Sequence, residues 1–233
     1  MQKKTQKVWA VGAVAAVVGV GGLATLAAWN DSEWIFAGNG DGGPGLGTST
    51  FNVQQNRDAA PPTAASTWDD QEANPGGEVV FTPGALNLTP GDSVYAPVAL
   101  KTGEGSIAGS LELQQPVEAA DLATSAGLWG ALTYSVKATE TPTACTAATW
   151  DAFGTEVIPA GTGFDTAVAP AEQELEANEA NIQYYCFEVT LPAGAPGVDG
   201  LQGQTAAPAW QFIATSVDAE AAEAVEPAEP ATP

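Results

Sequence analysis

The chain has 233 residues, with 6 Lys+Arg against 28 Asp+Glu, no histidine and a formal net charge of −22. A surface of that sign repels nucleic acid and anionic lipid. The absence of histidine removes Ser-His-Asp and Cys-His chemistry and every His-ligated metal site. The length suits one domain of about 150–200 residues with tails. The 26 Gly and 17 Pro favour turns over long helices.

Residues 1–28 have the three parts of a secretory signal. Lys3, Lys4 and Lys7 form a positive start, Val8 to Leu26 is uncharged and rich in Val, Ala and Gly, and Ala27-Ala28 supplies the small residues a signal peptidase needs. The uncharged run is also long enough to cross a bilayer, so retention as an anchor is the alternative. Membrane contact is expected only through this segment if it stays uncleaved. Beyond Ala28, three cations (Arg57, Lys101, Lys137) face all 28 acids, a net of −25.

After a glycine-rich hinge at 38–47, the chain reads as short strands between Gly/Pro turns. Thr48 to Gln54 alternates, with Phe51 and Val53 on one face, and 55–77 reads as a loop. Glu78 to Thr82 is a short strand. Pro83-Gly84 and Pro90-Gly91 are turns. In Val94 to Leu100, the residues Val94, Ala96, Val98 and Leu100 share a face, and Pro97 argues for an edge position. Ser106 to Leu113 alternates through Ile107, Gly109 and Leu111. A helical turn over Gly127 to Leu132 leads into a strand with Tyr134 and Val136 inward. Pro170 to Ala180 is the one helix-like stretch. Ile182 to Leu191 and Ala209 to Val217 are rich in aromatic and β-branched residues, as strands are.

This pattern predicts an all-β fold, a β-sandwich of the jelly-roll or immunoglobulin-like kind. It spans 48–217, after an N-terminal signal helix (1–28) and an arm with hinge (29–47). The acidic Ala/Pro/Glu tail 218–233 is expected to be disordered. The tail lacks Leu-Pro-x-Thr-Gly, the usual signal for sortase attachment.

Cys145 and Cys186 are the only cysteines. An even count after an export signal favours a disulfide. Closing a loop of that length stabilises the fold by roughly 4 kcal/mol in the chain-entropy model. The bridge is expected to pin the 145–180 excursion onto the strand that holds Cys186.

Three stretches carry residues with chemical potential. The acids Asp69, Asp70, Glu72, Glu172, Glu174, Glu176 and Glu179 raise a two-carboxylate glycosidase, but charge runs of this kind are normally solvated faces. Calcium would suit oxygens at Asp31/Glu33, Asn39/Asp41 or Asp69/Asp70; none follows the Asp-x-Asp-x-Asp-Gly loop, and no cofactor is expected. A Ser-Lys dyad would need Lys101 or Lys137, both read as lying at exposed strand ends. No catalytic, cofactor-binding or metal residue is assigned.

The stretch Gly21-Gly22-Leu23-Ala24-Thr25-Leu26-Ala27-Ala28-Trp29-Asn30-Asp31 resembles the signal of proteins exported through a SipW-type signal peptidase. Leu88-Thr89-Pro90-Gly91-Asp92-Ser93 resembles a segment that opens the second strand region of TasA/camelysin-like proteins. The last strand, through Trp210-Gln211-Phe212-Ile213-Ala214-Thr215-Ser216, is similar to that of actinobacterial members carrying this signal. The resemblance implies cleavage after Ala28, with Trp29 as the new N-terminus and a SipW-type peptidase as partner during export. Some camelysin-like relatives are classed as metallopeptidases; with no histidine, this chain has no His-Glu-x-x-His, and that activity does not carry over.

Trp29, Trp34, Ile35 and Phe36 lie in an apolar segment ahead of the hinge. Such a segment can add as a strand to a neighbour's sheet edge, and the resemblance implies donor-strand assembly. The competing reading makes it the first strand of its own domain. The sequence therefore points to a secreted or cell-surface structural protein, a candidate extracellular-matrix or biofilm filament subunit able to self-assemble. A monomeric adhesin-like binding module using 55–77 and 139–181 is the second reading, and a secreted hydrolase the third.

Overall fold

A computed structural model describes residues 48–217 apart from Pro196. The signal segment with Ala28, the arm with Trp29, Trp34, Ile35 and Phe36, and the tail 218–233 lie outside the described residues, as do Asp31, Glu33, Asn39 and Asp41.

The described chain is mostly β-sheet. Its strands are β1 (Val53–Asn56), β2 (Ser93–Thr102), β3 (Gly109–Leu113), β4 (Val117–Glu118), β5 (Thr133–Thr139), β6 (Thr155–Gly163), β7 (Gln173–Leu175), β8 (Gln183–Thr190), β9 (Pro208–Ala209) and β10 (Phe212–Ser216), with one short helix, α1 (Ala126–Ala131). Five strands form a sheet in the order β1-β2-β8-β5-β6, three form β10-β3-β7, and β4 pairs β9. Every strand pairing is antiparallel.

Alternation decides what each face meets. Val94, Ala96 and Val98 of β2 stand opposite Val189, Phe187 and Tyr185 of β8. On the other side of β8, Val136 and Ala138 of β5 stand opposite Phe187 and Tyr185. All of these side chains except Ala96 share one hydrophobic cluster with Leu111, Leu113 and Leu175 from the three-stranded sheet, and Phe212 and Ala214 pack against it. Each fully buried aliphatic or aromatic side chain there contributes about 1.5–3 kcal/mol. Trp210 sits among Phe81, Tyr134, Phe164 and Phe187, with ring centroids 5.0–6.0 Å away. Gly109 lets β3 run close to Phe51: a Cβ there would lie 2.6 Å from the ring.

The opposite face of the five-stranded sheet is covered as well. Tyr95, Ala99, Tyr184 and Cys186 form a second cluster with Cys145 and Phe153, and Trp68, Trp150 and Ile182 pack on it. The Cys145–Cys186 disulfide joins this layer, with Cα atoms 5.2 Å apart and a sequence separation of 41. It fastens the crossing between β5 and β6 to the outward face of the central strand. The later part of the expected excursion is strand, not loop, because β6 and β7 interrupt 139–181.

Four further expectations change. Pro170 to Ala180 holds no helix: Gln173–Leu175 pairs with β3, and Asn178 and Glu179 take left-handed φ of 55° and 62°, so tertiary pairing overrides the Ala/Glu propensity. Glu78 to Thr82 forms no strand; only Thr82 bridges, to Tyr95, although Val79 and Phe81 still turn toward the core and Val80 outward. The 55–77 loop carries the end of β1 and a Gln55–Asp69 bridge. Ala209 to Val217 is split at Trp210-Gln211 into β9 and β10.

The edge position expected from Pro97 is corrected: β2 lies between β1 and β8, and Pro97 falls in a local gap on its β1 side, between the β1 pairing and the Thr82 bridge. Tyr95 exchanges both backbone hydrogen bonds with Thr82. Strand alternation therefore aims the Pro97 nitrogen to the same side, into the gap between Thr82 and the Asn56–Ala99 pair. The Thr-Pro-Gly-Asp turn that precedes β2 is closed by Asp92. Thr89 donates to Asp92 Oδ2 from both its backbone N–H and its hydroxyl, each at 2.8 Å. These two bonds, the backbone one first, hold the Asp92 carboxyl below its ordinary pKa.

Candidate interaction edge

Sheet edges offer unpaired N–H and C=O groups, and proteins blunt the ones they do not use. The β1 edge is occupied where Gln55 exchanges two 2.9 Å backbone bonds with Asp69. The β7 edge is closed by side chains: Asn181 Nδ2 and Gln183 Nε2 both donate to the Glu174 carbonyl, and Glu176 N–H donates to Asn181 Oδ1. The β6 edge carries Pro159, a left-handed Gly161 (φ 78°) and register shifts against β5. Beside it, Val157, Pro159, Val168 and Pro170 line a shallow apolar cleft of about 240 Å³.

The outer edge of β10 differs. Gln114 N–H bonds the Gln211 carbonyl and Val217 N–H bonds the Ala108 carbonyl. With the pairing between them, odd-numbered residues of β10 exchange their bonds with β3. Phe212, Ala214 and Ser216 therefore point their N–H and C=O groups away from the sheet, and no described residue pairs with them. The sequence there, Phe-Ile-Ala-Thr-Ser, holds no charge and no proline. Its core-facing side chains Phe212 and Ala214 are only half-buried, so the hydrophobic layer itself is open along this edge.

The described chain enters nearby. Thr50 bridges Ser106 in parallel, and Ile107 N–H bonds the Thr50 carbonyl at 2.9 Å. These residues lead into β3, so the incoming chain lies on the far side of β3 from β10, about two strand spacings or ~10 Å away.

The three described cations are each engaged within the molecule. Arg57 pairs with Asp69 at 3.2 Å. Lys137 donates to the Trp150 carbonyl at 2.8 Å and lies 4.7 Å from that residue's ring centroid. Lys101 is 2% exposed, pairs with Glu179 and lies 4.8 Å from the Trp68 ring centroid. The expectation that Lys101 and Lys137 sit at exposed strand ends is thus corrected. A lysine flanked by covered strands is buried by its neighbours, and each ammonium is held against an indole.

The acids do not converge. Asp69 is taken by Arg57, Asp70 accepts from Asn52, and Glu188 accepts the Tyr95 hydroxyl at 2.8 Å. Burial, then that bond, pushes the Tyr95 phenol up to about 12. Among the described residues no three Asp, Glu, Cys or His gather as a metal ion would require. The strand Phe212–Ser216 was legible in the sequence; its exposure as an edge was not, because that depends on which strands it fails to pair with.

No family model, no curated protein and no solved structure matches this chain.

Proposed function

We propose that the chain is an exported structural subunit, secreted or held at the cell surface, that assembles by strand addition. We read the two larger sheets as the layers of a β-sandwich. The observation that carries the proposal is the unblunted β10 edge, with its half-buried Phe212 and Ala214. The other described edges of the two larger sheets are bonded, closed by side chains or interrupted by proline. An incoming apolar strand would meet three outward N–H and three outward C=O groups and would complete the hydrophobic layer. Trp34, Ile35 and Phe36 supply such a strand, and the twelve residue steps from Phe36 to Thr48 span at most about 40 Å. That reach covers the edge of a neighbouring subunit.

The test is sedimentation and electron microscopy of the protein beginning at Trp29, across a salt series. Filaments or high-mass species are expected. They should be lost on deleting 29–37 and on Ala214→Pro, which removes an outward N–H that no described partner uses. A monomer at every salt concentration, or assembly indifferent to both changes, overturns the proposal.

A further inference from the structure

Lys101 is the one charged residue among the buried ones described. It lies on the outward face of β2, opposite Gln54 of β1. An ammonium has three N–H donors. The described partners of this one are a single carboxylate, Glu179, and the face of Trp68. Holding an ion pair out of water costs several kcal/mol per ion unless further hydrogen bonds satisfy it, and no other described residue bonds this ammonium.

The carboxylate arrives by an equally costly route. Asn178 and Glu179 are consecutive non-glycine residues in the left-handed region, a conformation that persists only where surrounding contacts over-determine it. Here they do. Asn178 N–H donates to the Ser106 carbonyl at 2.9 Å, Gly105 N–H to Asn178 Oδ1 at 3.0 Å, and Glu179 N–H to Thr102 Oγ1 at 3.0 Å. The Thr102 hydroxyl donates in turn to the Glu176 carbonyl at 2.7 Å. A strained, fully bonded turn thus presents one carboxyl to one buried amine.

We propose that Lys101 Nζ and Glu179 Cδ become joined in a side-chain amide bond. Proton transfer within the ion pair gives the neutral amine and neutral acid from which the bond forms. The Nζ lone pair attacks Cδ, a C–O bond breaks, and the hydroxyl leaves with a proton from nitrogen as water. Ammonium and carboxylate become one amide and one water, with no other reactant and no net change of charge. Glu179 is partly exposed, which gives the water an exit. The cross-link ties β2 of the five-stranded sheet to the turn after β7 of the three-stranded sheet, a second covalent clamp beside the disulfide.

Intact mass of the purified chain after disulfide reduction decides the matter. The expected mass is one water below that of the unmodified sequence. Trypsin should then fail to cut after Lys101, leaving 58–137 in one piece attached to the peptide that contains Glu179. Lys101→Arg and Glu179→Ala should each restore the full mass expected for the variant. An unmodified wild-type mass with a free 102–137 peptide overturns the proposal, and that reading needs no variant to fold.

Discussion

Tyr184 and Tyr185 are neighbours in β8 and turn their rings to opposite faces of the same sheet, with opposite fates for their hydroxyls. The Tyr184 hydroxyl donates to the Pro62 carbonyl at 2.8 Å, pinning the 57–70 segment over the outer face. The Tyr185 ring packs 4.8 Å from Phe212 in the core, and its buried hydroxyl has no bonding partner among the described residues. Tyr134, in the adjacent strand, repeats the second case, and Tyr95, bonded to Glu188, repeats the first.

A Tyr→Phe series should therefore split in two. Removing a bonded hydroxyl strands its partner, whereas removing an unpaired buried one relieves a desolvation cost. Tyr184→Phe is expected to cost about 1 kcal/mol and Tyr95→Phe, whose partner is charged, about 1.5 kcal/mol. Tyr134→Phe and Tyr185→Phe should lie within roughly 0.5 kcal/mol of wild type or be stabilising. Urea midpoints of the four proteins test this; equal losses across the series would contradict the bonding described.

The same four residues set the alkaline limit. Burial raises all four phenols, Tyr95 and Tyr134 to about 12 from an ordinary 10.0. A phenol raised in the folded state keeps its proton there after the unfolded chain has released it. Its contribution is therefore intact below pH 10 and is lost as pH climbs toward the folded value. Phenolate absorbance should stay flat through pH 10 and then rise in one step, together with loss of the near-ultraviolet dichroism of the aromatic core. Independent ionisation of even one tyrosine near pH 10, with the fold intact, would count against its burial.

The disulfide should matter in proportion to the loop it closes. With a sequence separation of 41 between Cys145 and Cys186, chain entropy assigns it about 4 kcal/mol. Cys145→Ser with Cys186→Ser should lower the unfolding free energy by that amount, read from denaturant unfolding curves. It should also loosen the outer cluster first, because Phe153 and Trp150 are delivered by the same crossing. Faster hydrogen exchange confined to residues 140–153, ahead of β8 itself, is the expected pattern.

Particular residues explain what could be read from the sequence. Val94, Ala96, Val98 and Leu100 alternate cleanly because a covered sheet face selects every second residue, whereas Pro97 marks a local gap in the pairing of an internal strand, not a sheet edge. The same logic hid β6. Pro159, Gly161 and Gly163 read as turn residues, yet they are what blunts an edge strand and accommodates its register shifts. The helix-like Ala/Glu run at 170–180 failed because pairing with β3 and the left-handed pair at 178–179 outweigh a few tenths of a kcal/mol per residue of propensity. Lys101 was misread because its charge argues for solvent locally, while the carboxylate and indole that cover it come from residues 179 and 68.

Charge should govern association through the salt in solution. Arg57, Lys101 and Lys137 are each engaged inside the molecule, so none is free to answer the acidic side chains of an approaching copy. Beyond Ala28 those three stand against all 28 acids. Two such surfaces repel out to a Debye length, about 10 Å at 0.1 M salt and much farther at lower ionic strength. The β10 edge is itself uncharged, but Glu112 stands opposite the exposed Ile213 beside it. Association measured by sedimentation should therefore strengthen as monovalent salt rises. Divalent cations should act at lower concentration, because they neutralise carboxylates more effectively at equal ionic strength. Ile213→Glu, which adds a like charge on the outward face without touching the core, should shift the salt needed upward. A salt-independent association, or one that weakens with salt, would mean that the contact is held by ion pairs that these engaged cations do not provide.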